Sequence, residues 1–192
     1  LMRWQHPTRG LVMPDEFIPV AEDSGFINPL GDWLLNQVMT DIVHWRAAGY
    51  IMPQISINVS SIQLNNRHHP DGLLSITHTL REHQLTDFVA IELTERLLID
   101  HSALVDERLL ALRDAGIQVA LDDFGTGHSC LAYLQKFHID YLKIDKSFVQ
   151  RMTPDSQSHA LCEAMIVMAH KLVMRVIAEG VETPQQQDWL LQ

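Results

Sequence analysis

Two adjacent aspartates, Asp122 and Asp123, follow a short apolar run and precede a glycine-containing turn in the segment Val119–Gly127. An apolar run bounded by turn residues predicts a strand that is buried on both faces. Because successive strand residues point to opposite sides, we expect one carboxylate to face a site and the other to brace the loop. The simpler interpretation is a solvated corner in which both aspartates only cap or turn the chain.

The same pattern recurs, which favours a site over a solvated corner. Four further predicted strands end in polar residues, and these strand-end residues are Asn58, Glu92, Lys143 and Glu179. In a parallel β/α barrel the carboxyl ends of the strands meet at one mouth, so all five strand ends would form a single site. Each position alone has a simpler explanation, because every strand must end in something polar.

Helical patterns separate these strands. Apolar residues at helical spacing, together with start and stop signals, predict seven helices. The first begins at Pro14 and is expected to be kept short by Pro19, and the second covers 34–45 and stops at Gly49. The others are predicted at 73–83, 105–112, 131–135 and 161–172 and from Thr183 onward. Strands that alternate with helices along the whole chain predict a parallel α/β fold. A barrel explains the polar strand ends, and a doubly wound sheet is the alternative.

The side chains predicted at the mouth are mostly oxygen donors, which suit hard cations such as Mg²⁺ or Mn²⁺. No set of His and Cys suggests structural zinc, and His68-His69-Pro70 is interpreted as a solvated loop. Two cations about 3.5–4 Å apart would relieve the repulsion between carboxylates and activate water for in-line attack on phosphorus. Phosphodiester hydrolysis is the reaction class this suggests, although the residues alone leave sugar or keto-acid chemistry open.

Length and composition limit the domain number, the partners and the location that we expect for the chain. The chain has 192 residues, enough for one domain, and its net charge of −10 argues against binding a nucleic-acid polymer. No run approaches the roughly 18 apolar residues of a membrane span, so we expect no membrane contact from this segment. Two cysteines outside any C-x-x-C pair favour a reducing, cytoplasmic location. Leu1–Trp4 has the character of the interior of an element, so we expect the chain to be a fragment.

Ordered motifs resemble those of the EAL-domain cyclic di-GMP phosphodiesterases of bacterial signalling along nearly the whole chain. Leu1-Met2-Arg3-Trp4 resembles the end of that family's opening motif. The others follow in family order: Phe17–Glu22, Ile57–Ser60, Glu92–Glu95, Asp122–Gly127, Lys143–Asp145 and Glu179–Glu182. The resemblance implies a TIM-like (β/α) barrel over residues 1–192 that cleaves one phosphodiester bond of cyclic di-GMP to give linear pGpG.

The resemblance also implies residue roles. Asn58, Glu92, Asp122 and Asp123 are expected to bind two Mg²⁺ or Mn²⁺ ions, with Asp123 also positioning water. Lys143 and Glu179 are expected to orient or activate the attacking water, Arg3 to contact a substrate phosphate, and Glu95 to stabilise the loop after Asp123. A homodimer, and sensor or cyclase domains on a longer chain, are expected partners.

Two departures from the family pattern concern the chain ends. The family's motif glutamate would precede Leu1, and its last strand would follow Gln192, so the barrel is expected to be incomplete at both ends. His128 and Cys130 replace the usual aromatic residue and serine in the loop. The alternative function is therefore a catalytically inactive receptor domain that binds cyclic di-GMP.

Overall fold

The computed structural model describes residues 1–66, 71–95, 97, 102–127, 134, 136–154 and 156–191. A hairpin comes first, formed by antiparallel strands β1 and β2, and a five-stranded parallel sheet follows in the order β3-β4-β5-β6-β7. The strands are β1 Trp4–His6, β2 Gly10–Val12, β3 Ile55–Asn58, β4 Val89–Thr94, β5 Gln118–Phe124, β6 Tyr141–Ile144 and β7 Arg175–Ala178.

Helices connect the strands, as the sequence predicted. In chain order they are α1 Pro14–Asp23, α2 Ile27–Ala47, α3 Ser61–Asn65, α4 Asp71–Glu82, α5 Ala103–Asp114, α6 Lys146–Gln150, α7 Gln157–Lys171 and α8 Pro184–Leu190, with a short 3₁₀ helix at Thr86–Phe88. The predicted loop at 68–70 and most of the predicted helix at 131–135 lie outside the described residues.

The strand order distinguishes the two architectures that the sequence left open. A doubly wound sheet reverses its order at a switch point, whereas each strand here lies beside its predecessor from β3 to β7. This order is the progression of a β/α barrel, and over the described residues the sheet stays open between β3 and β7. The predicted parallel α/β class is confirmed.

The core lies between the sheet and its helices, and β4 is its most buried strand. Val89, Ala90, Ile91 and Leu93 are each at most 1% exposed. A near-continuous apolar run is the pattern of a strand covered on both faces, because parallel sheets carry helices over the strands. The polar residues at the ends of such strands are therefore held on a rigid base.

The expected effect of Pro19 was wrong. The proline was predicted to keep α1 short, but the helix continues four residues beyond it to Asp23. Proline removes one backbone donor and is costly within a helix, and in the sixth helical position Pro19 lies beyond the four amides that lack a partner within the helix, so the helix continues despite this cost.

Five helix ends share one geometry, in which the second residue after the helix has a positive φ. Glycine occupies this position at Gly25, Gly49 and Gly116, whereas Gln84 and Val173 have φ values of 55° and 63°. At Val173 the backbone amides of residues 173 and 174 donate to His170 and Ala169, the Schellman pattern. A β-branched residue in this left-handed region is strained, and Val173 is 91% exposed, so packing does not compensate.

We therefore predict that Val173→Gly stabilises the protein by about 0.5–1 kcal/mol, because relief of the left-handed strain exceeds the entropic cost of glycine. Urea unfolding measures the change. Val167→Gly, at an exposed position inside the same helix, is the control and should destabilise by about 0.5 kcal/mol, because valine itself is a poor helix former. A lower unfolding midpoint for Val173→Gly would contradict the prediction.

Candidate active site

Strand register brings the predicted site residues to one edge of the sheet. Asn58 pairs with Glu92 between β3 and β4, and Thr94 pairs with Asp122 between β4 and β5. Lys143 lies near the end of β6, and the amide of Glu179 continues the ladder by donating to the carbonyl of Ile144 at 3.1 Å. All five residues thus lie at or near the carboxyl ends of parallel strands.

Lys143 is the centre of this cluster. Its Nζ lies 2.8 Å from Glu179 Oε1, 3.0 Å from Asp122 Oδ1 and 3.1 Å from Glu92 Oε1. The lysine residue is only 8% exposed. Three carboxylates from three other strands or strand ends therefore share one buried ammonium, which offsets much of their mutual repulsion.

The pKa of Lys143 is raised. Burial lowers it, but the hydrogen bonds to Glu179, Asp122 and Glu92 outweigh burial. A raised folded-state pKa means that the stabilisation is fully present below the ordinary lysine value of about 10.4 and is lost only as pH rises through the higher value. The ammonium therefore remains charged throughout the neutral range.

A β-bulge shapes the Asp122–Asp123 corner. Leu121 pairs with Leu142 and Phe124 with Ile144, so the two aspartates together oppose Lys143 alone. Asp123 adopts a φ of 54°, and its amide donates to Asp122 Oδ1 at 3.0 Å. The bulge breaks the alternation that the sequence predicted, because a residue with positive φ no longer extends the strand.

Both aspartates consequently belong to the same electrostatic environment. The pKa of Asp123 is raised by burial and then by the nearby carboxylates of Asp122, Asp145 and Glu179, with Lys143 opposing the shift. The expected division of roles, in which one aspartate faces the site and the other braces the loop, stays a prediction. Asp123 contributes to the loop through its backbone, because its carbonyl accepts from Thr126 Oγ1 at 2.8 Å.

Sequence reasoning assigned no role to Asp145, which lies beside this cluster. Asp145 caps α6 by accepting from the amide of Ser147 at 3.0 Å, and its pKa is lowered first by hydrogen bonding with the Ser147 side chain and then by this backbone bond, against burial. Its position could have identified it as a helix cap, because it ends a predicted strand and immediately precedes a helix. Its charge acts on Asp123, so it influences the site without contacting Lys143.

Glu95 lies beneath the loop that follows Asp123. It is 3% exposed, and its Oε2 accepts from the amide of Gly125 at 3.0 Å and from that of Gly127 at 3.3 Å. Hydrogen bonds to an ionised acceptor are among the stronger ones in proteins. The geometry is suited to holding the loop, and the role itself stays a prediction.

Arg3 is the predicted phosphate contact near the start of the chain. It is exposed, and its guanidinium donates to the carbonyl of Met2 at 2.9 Å. Over the described ranges no hydrogen bond or ion pair joins it to the strand-end residues. Its predicted contact with a substrate phosphate stays a prediction.

The donor chemistry of the cluster fits a hard divalent cation. Asn58 Nδ2 donates to Glu92 Oε2 at 3.2 Å, which leaves the amide oxygen as the ligand end of that side chain. In the part of the chain that the structure describes, no three His, Cys, Asp or Glu side chains surround a common point as metal ligands. The three carboxylates contact Lys143 instead, each through one of its two oxygens.

The family model of the EAL domain matches residues 1–192. The chain belongs to the EAL domain family. Cyclic di-GMP phosphodiesterase NbdA of Pseudomonas aeruginosa is 38% identical over 187 residues, which are 97% of this EAL domain and 24% of NbdA. The bifunctional diguanylate cyclase/cyclic di-GMP phosphodiesterase MucR of the same organism is 34% identical over 194 residues, 99% of this chain and 27% of MucR.

A solved structure supports the same assignment. The PaMucR phosphodiesterase in complex with c-di-GMP superimposes with a TM-score of 0.88 at 32% identity, over 100% of this chain and 76% of that one. This similarity confirms the TIM-like class of the EAL fold. The chain spans about a quarter of the length of the two curated relatives. None of the helices described here is both long and apolar enough to cross a bilayer.

We predict that Lys143→Met, in EDTA at neutral pH, lowers the free energy of unfolding by about 3 kcal/mol, because it leaves three converging carboxylates without their cation. Urea unfolding measures the loss. Lys136→Met is the control, since Lys136 forms a surface pair with Asp106 and should change stability by less than about 1 kcal/mol. Equal stability of Lys143→Met and wild type would show that the ammonium does not offset the repulsion.

Gly180, next to Glu179, offers a second prediction. It has a φ of 69°, and a Cβ there would lie 2.7 Å from Lys146 Cβ, whereas Gly116 has a similar φ of 76° with nothing within 4 Å. Both glycine-to-alanine variants incur left-handed strain of about 1–2 kcal/mol. We expect Gly180→Ala to lose at least about 1 kcal/mol more than Gly116→Ala in urea unfolding, because it also overpacks. Equal losses would contradict the close approach.

Proposed function

We propose that this EAL domain hydrolyses one phosphodiester bond of cyclic di-GMP to linear pGpG and depends on two Mg²⁺ or Mn²⁺ ions. The observation that carries the proposal is the convergence of Glu92, Asp122 and Glu179 on Lys143 at the carboxyl end of the sheet. The relatives named as cyclic di-GMP phosphodiesterases and the c-di-GMP complex of PaMucR support the substrate.

The proposed metal ligands are Asn58, Glu92, Asp122 and Asp123. Divalent ions held by these oxygens would supply an activated water and stabilise charge at the phosphorus and the leaving oxygen. The side chains of Glu92 and Asp122 are 10% and 14% exposed, so they are positioned to hold ions rather than to exchange with solvent. Asp123, on the bulge, is the more open of the two aspartates.

Glu179 and Lys143 are proposed to act on the attacking water. The Glu179 side chain is 34% exposed, the most open of the three carboxylates that contact Lys143. A carboxylate that is both open to solvent and tied to the cluster is suited to orient a water and accept its proton. Lys143 would hold Glu179 in place and supply positive charge next to the reacting phosphate.

The domains proposed to accompany this one are suggested by its relatives. MucR is named as both cyclase and phosphodiesterase, so we propose that this domain works beside sensor or cyclase domains of a longer chain. A homodimer and a cytoplasmic location stay predictions. Arg3 remains the proposed contact for a substrate phosphate, since a guanidinium can bind two phosphate oxygens at once.

The test is hydrolysis of cyclic di-GMP in the presence of Mg²⁺ or Mn²⁺, with the linear product quantified by chromatography. We expect product with either metal and none with EDTA. Asp122→Asn should lower kcat by at least about a hundredfold, because loss of one ligand carboxylate removes several kcal/mol of transition-state stabilisation. Asp114→Asn, on an exposed aspartate paired with Arg113, is the control and should leave kcat unchanged.

The other outcomes separate the alternatives. Binding of cyclic di-GMP without product would support the receptor function and overturn hydrolysis. An Asp122→Asn variant with wild-type turnover would overturn the residue assignment. Absence of both binding and turnover would reject cyclic di-GMP as the ligand.

A further inference from the structure

Asn58 is held less firmly than the other members of the cluster. It ends β3, and the residue is exposed. Its side chain joins the cluster through the 3.2 Å hydrogen bond to Glu92 Oε2. One hydrogen bond does not fix an exposed side chain, so the orientation of Asn58 depends on how the following backbone is anchored.

That anchor is Ser60, two residues further on. Its hydroxyl donates to Glu22 Oε1 at 2.5 Å and accepts from the amide of Ile62 at 3.2 Å. Its own amide donates to Gln63 Oε1 at 3.0 Å, which completes the capping box of α3. Between the two, the amide of Val59 donates to the carbonyl of Glu92 at 2.9 Å.

Glu22 is not needed to start α3. The capping box is complete within residues 60–63, because both reciprocal hydrogen bonds are present there. Glu22 comes instead from α1, 38 residues earlier, and accepts a short charge-assisted hydrogen bond from the capping hydroxyl. The effect of this bond is to fix Ser60, and with it the end of β3, relative to α1.

We propose that Glu22 is a positioning residue for Asn58: through Ser60 it holds the end of β3 so that the Asn58 carboxamide is presented to the metal site. The inference rests on the proposed function, since it takes Asn58 as a metal ligand. Residues that orient a ligand from outside the ligand set typically contribute about 10–100-fold to metal affinity, and Glu22 is assigned that role here.

The test measures Mn²⁺ affinity by electron paramagnetic resonance of free Mn²⁺, without substrate, alongside urea unfolding. Glu22→Ala and Ser60→Ala should each weaken Mn²⁺ binding by about tenfold. The Mn²⁺ affinity of the double variant should equal that of the single variant with the lower affinity, because both substitutions break the same hydrogen bond. Ser60→Thr, which keeps the hydroxyl, should retain wild-type affinity.

Two controls match these variants. Glu16→Ala removes an exposed glutamate from the same helix, and Ser156→Ala removes a capping hydroxyl at the start of α7. Both should bind Mn²⁺ as wild type does. If Glu22→Ala does not fold, Glu22→Gln replaces it, since it keeps an acceptor but loses the charge, and about threefold weaker binding is expected.

Wild-type Mn²⁺ affinity in Glu22→Ala, with only a lower unfolding midpoint, would reduce Glu22 to a structural brace and overturn the proposal. Affinity that falls equally in the control variants would also overturn it. A wild-type chain that binds Mn²⁺ but leaves cyclic di-GMP intact would reject the proposed function and leave the positioning role standing. A wild-type chain that binds no Mn²⁺ would overturn both.

Discussion

The interaction on which the site depends is the contact of three carboxylates with one buried ammonium. Glu92, Asp122 and Glu179 come from separate parts of the chain, and without Lys143 their charges would repel one another in a poorly solvated environment. The lysine therefore allows a dense acidic cluster to exist at the end of the sheet. Carboxylate oxygens are also the donors that hard divalent cations prefer, so the ion pairs with Lys143 bring together side chains of the type that the proposed metal site needs.

The parallel sheet makes this convergence possible. Because β3 to β7 follow one another in order, residues far apart in sequence reach the same edge at the same height. The bodies of β4, β5 and β6 are largely buried and apolar, so packing fixes their positions and thereby the positions of the polar residues at their ends. The pairing register of β3 to β7 thus determines both how the core packs and where the site residues lie relative to one another.

The sequence was sufficient for the parts of the molecule that depend on local pattern. Apolar runs with polar ends predicted the strands, and the recurrence of those ends predicted that Asn58, Glu92, Asp122, Lys143 and Glu179 would lie on one edge. It did not predict the β-bulge, because two aspartates in a strand follow the same pattern whether or not one has a positive φ. Nor did it predict the Glu22–Ser60 hydrogen bond, since two polar residues 38 positions apart carry no local signal.

The non-glycine residues with a left-handed backbone occupy two kinds of position in this chain. Over the described residues three non-glycine residues have positive φ: Gln84, Val173 and Asp123. Gln84 and Val173 follow helix ends, where glycine would adopt the same conformation without strain, and nothing in the described structure explains the strained residue there. At Asp123 the same conformation forms the bulge in which residues 122 and 123 together oppose Lys143, and the chain then enters the loop whose amides donate to Glu95. Glycine there would relieve the strain but remove a carboxylate, so the strained conformation coincides with a corner of the proposed site.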